Sequence, residues 1–537
     1  MSQRMRKISY WQDPPAPREQ LVLFTESLDS RIPADHPVRL LDEILGSLDW
    51  TAWEAKYHGS LGQPPIHPRI MASVLLFAMI RRVRSSRNIE YQIRHSIDFM
   101  WLVSGRTIDH DTISEFRRKH TAELQDIYRQ MIRVAIDMKV AKLGELCIDG
   151  TRVLANANRY RIWTAERVTK VIAALDEQLA GAMAEIETAD SVEDLIGQDI
   201  SGDQLPPEIA DLKVRRAKLD EILVKLKAMD AERKKYGKDP KTNPAQIPKT
   251  DPDARTLLNK EGGYAPNYTP MAVTETESGF IVGANVVIGN VEHDQLLPMV
   301  QEIITIFDVD VETVMGDTAY SSGENLSGAE AAELEVLAPV ADVKCKSNPA
   351  ERDDPTEPVA ADHLDELPNN PTTKKFDKSA FVYDEEADCY YCPAGKPLPR
   401  AGSEKKRRSG GRVILQTVYE CGDCQGCPLA SRCRKNPEAA KGRRIRHDVH
   451  EGARRRQRAR MKQPEVAERY KKRKSIAERP FAVIKAAMDL RRFLLRGIAG
   501  AETEWLWACT AHNLKKLMSI RAALRTAEAE SSPIGVQ

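Results

Sequence analysis

The chain has 537 residues, of which 42% are hydrophobic and 30% charged, with 80 Lys and Arg against 79 Asp and Glu. This length exceeds one ordinary hydrophobic core, so two to four domains are expected, and the balanced charge excludes a uniformly basic or acidic protein. The most apolar stretch, residues 70–80, is too short to cross a bilayer, and "MSQRMRKISYWQDPP" lacks the apolar core of a secretion signal. We therefore expect a soluble cytoplasmic protein without a membrane partner, whose nine cysteines are thiols or metal ligands rather than disulfides.

Residues 1–130 are predicted to form a helical domain. The segments "HPVRLLDEILGSL" and "PRIMASVLLFAMIRRV" carry apolar residues at helical spacing, and the second is apolar nearly all round its centre. Such segments pack against one another rather than against solvent, which predicts an all-α unit.

The segment "ELCIDG" then predicts a short buried strand that ends in a carboxylate, Asp149. A charge at the end of a buried strand costs free energy unless a group of opposite charge meets it. An isolated Asp-Gly pair is also typical of an ordinary turn, and this alternative stays open from the local sequence alone.

A helical hairpin is predicted next. Apolar residues between Val168 and Ile186 alternate spacings of about three and four, Leu212, Leu219 and Leu226 repeat by seven, and "SGDQLPP" between the two stretches breaks any helix. The hairpin is expected to serve packing or dimerisation. Residues 234–260, rich in Lys, Pro, Asp and Asn, are expected to form a loop.

The periodicity changes to two after residue 260. The segment "NYTPMAVTETESGFIVGANVVIG" predicts two strands around a tight turn, and alternating helices and strands follow it, which together indicate a mixed α/β sheet.

In "VMGDTAYSS", Asp317 ends a strand as Asp149 does. If the two strands are neighbours, the two carboxylates point to a shared Mg²⁺ (or Mn²⁺), which prefers oxygen ligands. Asp251 and Asp253 in "TDPDAR" are rival ligands, although their proline context favours a turn.

Six cysteines lie close together in residues 341–450, a region otherwise rich in proline and polar residues. Two Cys-x2-Cys pairs 28 residues apart resemble the spacing of a zinc ribbon, so a structural Zn²⁺ is predicted; a redox role for one pair is the alternative. Six thiols are two more than one tetrahedral ion needs, and the sequence does not choose among Cys389, Cys392, Cys421, Cys424, Cys427 and Cys433.

Residues 441–474 contain fifteen Lys or Arg against four Asp or Glu. A DNA-phosphate surface centred on Arg454, Arg455 and Arg456 is one interpretation, and a solvated helix face is the other.

A third carboxylate, Glu478, follows in "YKKRKSIAERPFAVIK". On a regular helix it would share a face with Lys474 and Lys485, an arrangement suited to a metal ligand flanked by phosphate-binding cations. Pro480 must start or kink a helix, which complicates this argument.

The order Asp149, Asp317, Glu478 resembles the DDE transposases of bacterial insertion sequences. The resemblance covers most of the chain, including "IDGTRVLANANR", "GDTAYSSGENL" and "AERPFAVIK". One relative pattern is Tyr-x2-Arg-x3-Glu-x6-Lys. The spacing from Glu478 to Lys485 matches it, whereas four residues separate Arg473 from Glu478, so either Lys474 replaces that Arg or the helix phase differs.

The resemblance implies a ribonuclease-H-like α/β core with an all-α N-terminal domain, an inserted helical hairpin and an inserted cysteine-rich zinc-binding region. The three acids would be catalytic and share two metal ions, and Arg473, Lys474 and Lys485 would contact DNA. The implied partners are element-end and target DNA and a second copy of the chain, in a homodimer or larger assembly. The expected function is cleavage of insertion-sequence ends and strand transfer; a nuclease without strand transfer and a domesticated, non-catalytic DNA-binding protein are the alternatives.

The expected boundaries follow from these assignments. They are 1–130 for the N-terminal helical domain, 141–159, 262–340 and 463–495 for the three parts of the catalytic core, 160–235 for the hairpin, 341–450 for the cysteine-rich insertion and 496–537 for a C-terminal helical tail.

Overall fold

The computed structural model describes residues 27–57, 65–196, 207–235, 237, 239–259, 262–341, 348–407 and 413–531. The chain divides into two compact units, one made of residues up to 78 with 83–116 and 518 onward, the other of residues 79–82 and 117–517. The N-terminal segment considered for a secretion signal and residues 201–206 of the expected hairpin turn lie outside the described residues.

The first unit is built from short helices around an aromatic core. The helices are α1 (Pro37–Gly46), α2 (Thr51–Glu54), α3 (Pro68–Ile80), α4 (Ser86–His95), α5 (Ile97–Leu102) and α6 (His110–Lys119). The rings of Trp53 and Phe116 stack with centroids 5.2 Å apart, and those of Phe77 and Phe99 meet at 5.1 Å. Because α3 is apolar nearly all round, most of its side chains are buried.

The second unit is centred on a mixed sheet. Its first part contains α7 (Thr121–Asp137), β1 (Glu145–Gly150), β2 (Val153–Leu154), β3 (Ile162–Trp163), α8 (Ala165–Ile196), α9 (Pro207–Lys235), β4 (Ile247–Pro248), β5 (Arg255–Leu258), β6 (Tyr264–Glu275), β7 (Ile281–Val287), α10 (Leu296–Phe307), β8 (Thr313–Met315), α11 (Gly323–Ala331) and β9 (Glu335–Leu337). The order across the sheet is β7-β6-β1-β8-β9, and β2 and β5 also pair with β6. Strand β6 is antiparallel to its neighbours, whereas β1, β8 and β9 are parallel to one another. The predicted mixed α/β class is therefore confirmed.

The helical hairpin packs by its own apolar stripes. Leu219 and Leu226 of α9 are buried against Val168 and Leu175 of α8. Residues 234–260 differ from the expected loop, because β4 pairs with β3 and β5 pairs with β6. Pairing with a neighbouring strand overrides the loop-forming composition of such short segments.

The cysteine-rich region forms a separate five-stranded antiparallel sheet with its own apolar core. It contains β10 (Val382–Asp384), β11 (Cys389–Tyr391), β12 (Pro397–Arg407), β13 (Val413–Glu420), α12 (Ala430–Cys433) and β14 (Arg444–Asp448). The chain then returns to the mixed sheet through α13 (Glu451–Lys462), where Gln457 donates hydrogen bonds to the carbonyls of Val336 and Ala338.

The last helices cover the mixed sheet. They are α14 (Pro464–Lys471), α15 (Arg473–Ala482), a π-helical turn (Val483–Ala487) and α16 (Gly497–Ser531). Trp505 Nε1 donates to the carbonyl of Met271, and Asn513 bonds both the N–H and the carbonyl of Ile281. These buried hydrogen bonds fix α16 against β6 and β7.

Candidate active site

Asp149 and Asp317 lie at the same level at the ends of two adjacent parallel strands. Cys147 pairs with Met315 in the β1–β8 register, and each aspartate follows two residues later in its own strand direction. Because neighbouring strands lie about 4.8 Å apart, the two aspartates come side by side at this edge of the sheet.

Arg473 meets the charge of Asp149. The distance from Arg473 Nη2 to Asp149 Oδ2 is 3.2 Å, and both side chains are less than one-fifth exposed. Asp149 Oδ1 accepts a hydrogen bond from the Gly150 N–H, and Asp317 Oδ1 accepts one from the Ala319 N–H. The buried-strand carboxylate that the sequence left without a partner is therefore ion-paired to the first residue of α15.

The pKa values of two neighbouring side chains are raised in part by the negative charge at this edge of the sheet. The pKa of Cys147 is raised to about 12, mainly by burial; Arg473 lowers it, and the charges of Asp149 and Asp317 contribute to the rise. Burial likewise raises the pKa of Tyr320, and the carboxylates of Asp149, Glu292 and Asp317 add to the effect. A positively charged ligand is favoured at such a site.

Glu292 is a carboxylate at this edge that the sequence pattern did not reveal. It follows β7, which is antiparallel to β6 and therefore runs in the direction of β1. Its Oε2 lies 3.6 Å from Arg152 Nη1, and would lie 2.8 Å from a Cβ atom at Gly150. The available signal was its position just beyond the end of a strand parallel to β1.

Glu478 and Lys474 are exposed on α15. The adjacent Ala477 is buried with Cys147 and Met315, so this helix lies against the two strands that carry the aspartates. Glu478 directly follows Ala477 and is exposed, and its role as a third metal ligand stays a prediction.

The helix between Glu478 and Lys485 is not regular, whereas the expected shared face required a regular helix. Pro480 lies inside α15, and a π-helical turn over Val483–Ala487 changes the phase before Lys485. Lys485 Nζ donates to Thr151 Oγ1 at 2.6 Å and to the Arg152 carbonyl at 2.7 Å. The lysine thus holds the two residues that follow β1.

The arginines of the basic run contact carboxylates of the same chain. Arg454, 17% exposed, pairs with Asp448 and with Glu451, the latter at 3.0 Å. Arg455 lies 3.6 Å from Glu385 and 4.1 Å above the ring of Tyr383, and Arg456 pairs with Glu330 at 2.6 Å. Their contact with DNA stays a prediction.

The rival acids Asp251 and Asp253 bind the start of α16. Asp251 is fully buried and accepts hydrogen bonds from Tyr268 Oη at 2.6 Å and from the Gly497 N–H at 3.2 Å. Asp253 contacts Lys225 Nζ at 3.1 Å and the Ile498 N–H at 3.3 Å. These partners give both acids a structural role, although the buried Asp251 Oδ2 has no hydrogen-bond partner among the described residues.

Five of the six clustered thiols line one small cavity of about 20 Å³, which is room for a single water-sized species. They are Cys392, Cys421, Cys424, Cys427 and Cys433. Backbone N–H groups of Lys396 and Arg443 donate to the sulfurs of Cys392 and Cys424, each at 3.4 Å. Cys389 is the exception, because it does not line the cavity and its neighbours are Tyr391, Asp384 and Asp388.

Across the described part of the chain, no group of three or more His, Cys, Asp or Glu side chains is arranged closely enough to hold a metal ion. The same residues contain no helix with the length and apolarity of a membrane span. The donor chemistry nevertheless suits metals at two places, with carboxylate oxygens at the β1–β8 edge and thiols around the small cavity.

Two family models match the chain. The "Transposase domain (DUF772)" matches residues 26–119, and the "Transposase DDE domain" matches residues 391–518, which include Arg473, Glu478 and Lys485. No curated protein is significantly similar in sequence. A cryo-EM structure of the piggyBac transposase synaptic complex with hairpin DNA is 10% identical, with 95% of this chain and 80% of that chain covered and a TM-score of 0.28. The two family matches confirm the resemblance to insertion-sequence DDE transposases seen in the sequence.

Proposed function

We propose that the protein is a DNA transposase that cleaves the ends of an insertion sequence and joins them to target DNA. The observation that carries the proposal is the juxtaposition of Asp149 and Asp317 at the ends of adjacent parallel strands. The order β7-β6-β1-β8-β9, with three antiparallel strands followed by two parallel ones, supports a ribonuclease-H-like core.

Asp149, Asp317 and Glu478 would hold two Mg²⁺ or Mn²⁺ ions. Bound ions of this kind activate the attacking water or 3′-hydroxyl and stabilise the leaving oxygen. Asp149 and Asp317 supply oxygen ligands from two neighbouring strand ends, and Glu478 supplies a third from the exposed face of α15. Arg473 compensates the charge of Asp149 and would turn to a DNA phosphate when cations take over that task. Lys485 positions Thr151 and Arg152 beside the site through its two hydrogen bonds.

The cysteine-rich region would bind a structural Zn²⁺ through four of the five thiols that line its cavity. The two N–H donors to Cys392 and Cys424 sulfurs support this, since such bonds stabilise thiolates. The ion would tie β11 to the segment between β13 and β14 and so stabilise the small sheet.

The test is a cleavage assay in the cytoplasmic pH range, with labelled duplexes that carry the DNA flanking the protein's own gene. The proposal expects nicked products that require Mg²⁺ or Mn²⁺ and transfer of the labelled 3′-end into a plasmid. Cleavage without transfer would assign a nuclease, and DNA binding without cleavage would assign a non-catalytic protein. Light scattering with and without the duplex measures the proposed homodimer or larger assembly.

A further inference from the structure

We propose that an arginine-lined groove beyond the end of β2 binds the phosphodiester backbone of the DNA substrate; this rests on the proposed function. The groove has a volume of about 650 Å³ and lies between residues 154–161 and residues 492–496. Four arginines line it, Arg159, Arg161, Arg492 and Arg496, together with three asparagines, and no acidic side chain among the described residues does so.

Charge makes an anionic occupant the favoured one. All four arginines are exposed, and among the described residues no carboxylate forms an ion pair with Arg159, Arg161 or Arg496. This contrasts with Arg454, Arg455 and Arg456, each of which contacts a carboxylate of the chain. Guanidinium groups recognise phosphate oxygens by paired N–H donation, and the asparagine amides add neutral donors.

The walls of the groove are held together before any ligand binds. The N–H of Phe493 donates to the Leu154 carbonyl at 2.8 Å, and the Leu154 N–H donates to the Arg491 carbonyl at 3.1 Å. The Asn156 side chain donates to the Leu494 carbonyl at 2.6 Å. Binding therefore requires little ordering of the backbone, which reduces its entropic cost.

The groove lies a short and defined distance from the candidate active site. Asp149 and Leu154 pair with Ala272 and Asn267 of the same strand β6, so they are five residues apart along a continuous ladder. At about 3.3 Å per residue this distance is about 16 Å. A B-form strand rises about 3.4 Å per nucleotide, so the groove lies about five base pairs from a phosphate at Asp149.

An exposed aromatic ring stands beside the groove. The Tyr160 side chain is 73% exposed, and the guanidinium of Arg159 lies 4.6 Å from its ring centroid. Stacked arginine and tyrosine side chains at the rim of a cationic groove suit a nucleic acid better than a free inorganic anion, because a nucleic acid offers bases as well as phosphates.

The first experiment measures binding to a labelled duplex of about 30 base pairs and arbitrary sequence over a series of salt concentrations, without divalent metal. A variant with Arg159, Arg161, Arg492 and Arg496 changed to Gln should bind about 10- to 100-fold more weakly at about 0.1 M salt. Its slope of log affinity against log salt should fall by about 0.9 for each phosphate that the variant no longer neutralises. The matched control removes four exposed charges from α9, by changing Lys213, Arg215, Lys218 and Lys227 to Gln, and should keep the wild-type slope.

An unchanged slope in the groove variant, or an equal fall in the control, overturns the inference. All eight changed side chains are exposed, so both variants should unfold at the temperature of the wild type, and melting curves check that they are folded. Inorganic phosphate at matched ionic strength should compete no better than chloride, and strong competition would identify a small-anion site instead.

The second experiment separates this inference from the proposed function. Substrates of the cleavage assay are shortened on one side of the cut from about ten base pairs to about three. Shortening should weaken binding of the wild type and leave the groove variant unaffected. If the groove variant loses affinity while the wild type cuts nothing, the inference stands and the proposed activity fails; if the wild type cuts and shortening affects both proteins equally, the inference fails alone.

Discussion

Changing Glu451 to Gln should lower the local free energy of opening of α13, and this effect should be largest near neutral pH and fade in acid. Glu451 is 6% exposed and contacts Lys378 at 2.9 Å, Arg454 at 3.0 Å and Arg458 at 3.5 Å. Burial alone would raise the pKa of Glu451, but the charges of Lys378 and Arg454 outweigh it and lower the pKa to about 2. The carboxylate is therefore stabilised in the folded protein.

The magnitude follows from the difference between that value and an ordinary glutamate pKa of 4.5. At about 1.36 kcal/mol for each pKa unit, the difference corresponds to about 3 kcal/mol. Burial lowers the pKa of Lys378 despite its glutamate partner, so desolvation of the lysine makes this figure an upper bound. Because the folded pKa of Glu451 is lowered, its contribution is present above pH 4.5 and is lost as the pH falls through about 2.

Hydrogen exchange of the amides of residues 451–462 gives the local free energy of opening without requiring two-state unfolding of the whole chain. At about pH 6 the Gln variant should exchange up to about a hundredfold faster than the wild type in α13, and the gap should narrow toward about pH 3. A gap of the same size at both pH values would refute the electrostatic reasoning. The matched control is Glu465→Gln in α14, an exposed glutamate that should change protection little at either pH.

Three further predictions concern the proposed chemistry. Changing Asp149 or Asp317 to Asn should lower cleavage by several orders of magnitude and leave DNA binding in place, and the double variant should be little worse than either single one, because such residues act as a unit. Glu478→Gln should behave in the same way in that assay, whereas Asp253→Asn should keep most activity. The reverse pattern would show that Glu478 is not the third metal ligand. Protein purified without chelator should carry about one zinc per chain by metal analysis and keep it after Cys389→Ser, and folded protein without zinc would reject that site.

Much of the fold was predictable where the signal is local. The alternation of apolar and polar residues predicted the β6–β7 hairpin, and the structure confirms both strands and their antiparallel pairing. Asp149 and Asp317 were selected because each ends a short apolar strand, and the strand register brings them to one edge. These inferences needed only periodicity and strand direction.

Ion pairing was not predictable, because the partners come from distant parts of the chain. Arg454 stands in a run of positive charge that suggested a solvated surface or a DNA contact, yet it is largely buried with Asp448 and Glu451. Glu451 in turn contacts Lys378, 73 residues earlier in the numbering. The local sequence shows where charged residues lie, but it does not show which residue of opposite charge the folded chain places beside each of them.

The phase of the helix that carries Glu478 was the second feature that could not be predicted from the sequence. The spacing of Glu478 and Lys485 places both on one face only if the helix is regular, and the π-helical turn after Pro480 removes that condition. Pro480 was the visible warning, since a proline removes a backbone donor and disturbs the hydrogen bonds of the preceding turn. The sequence therefore indicated where the helix could depart from regularity without indicating the form of that departure.

The distribution of charge matters more to this protein than its total. A chain with 80 basic and 79 acidic residues exerts almost no net attraction on DNA, so an encounter must depend on local segregation of charge. The β1–β8 edge concentrates the carboxylates of Asp149, Asp317 and Glu292, which would repel a phosphate in the absence of cations. The arginine groove about 16 Å away offers the opposite charge and would retain the duplex until the scissile phosphate is admitted. Substrate affinity and metal dependence would then reside in separate places, which is why the salt slope and the divalent-metal requirement can be tested independently.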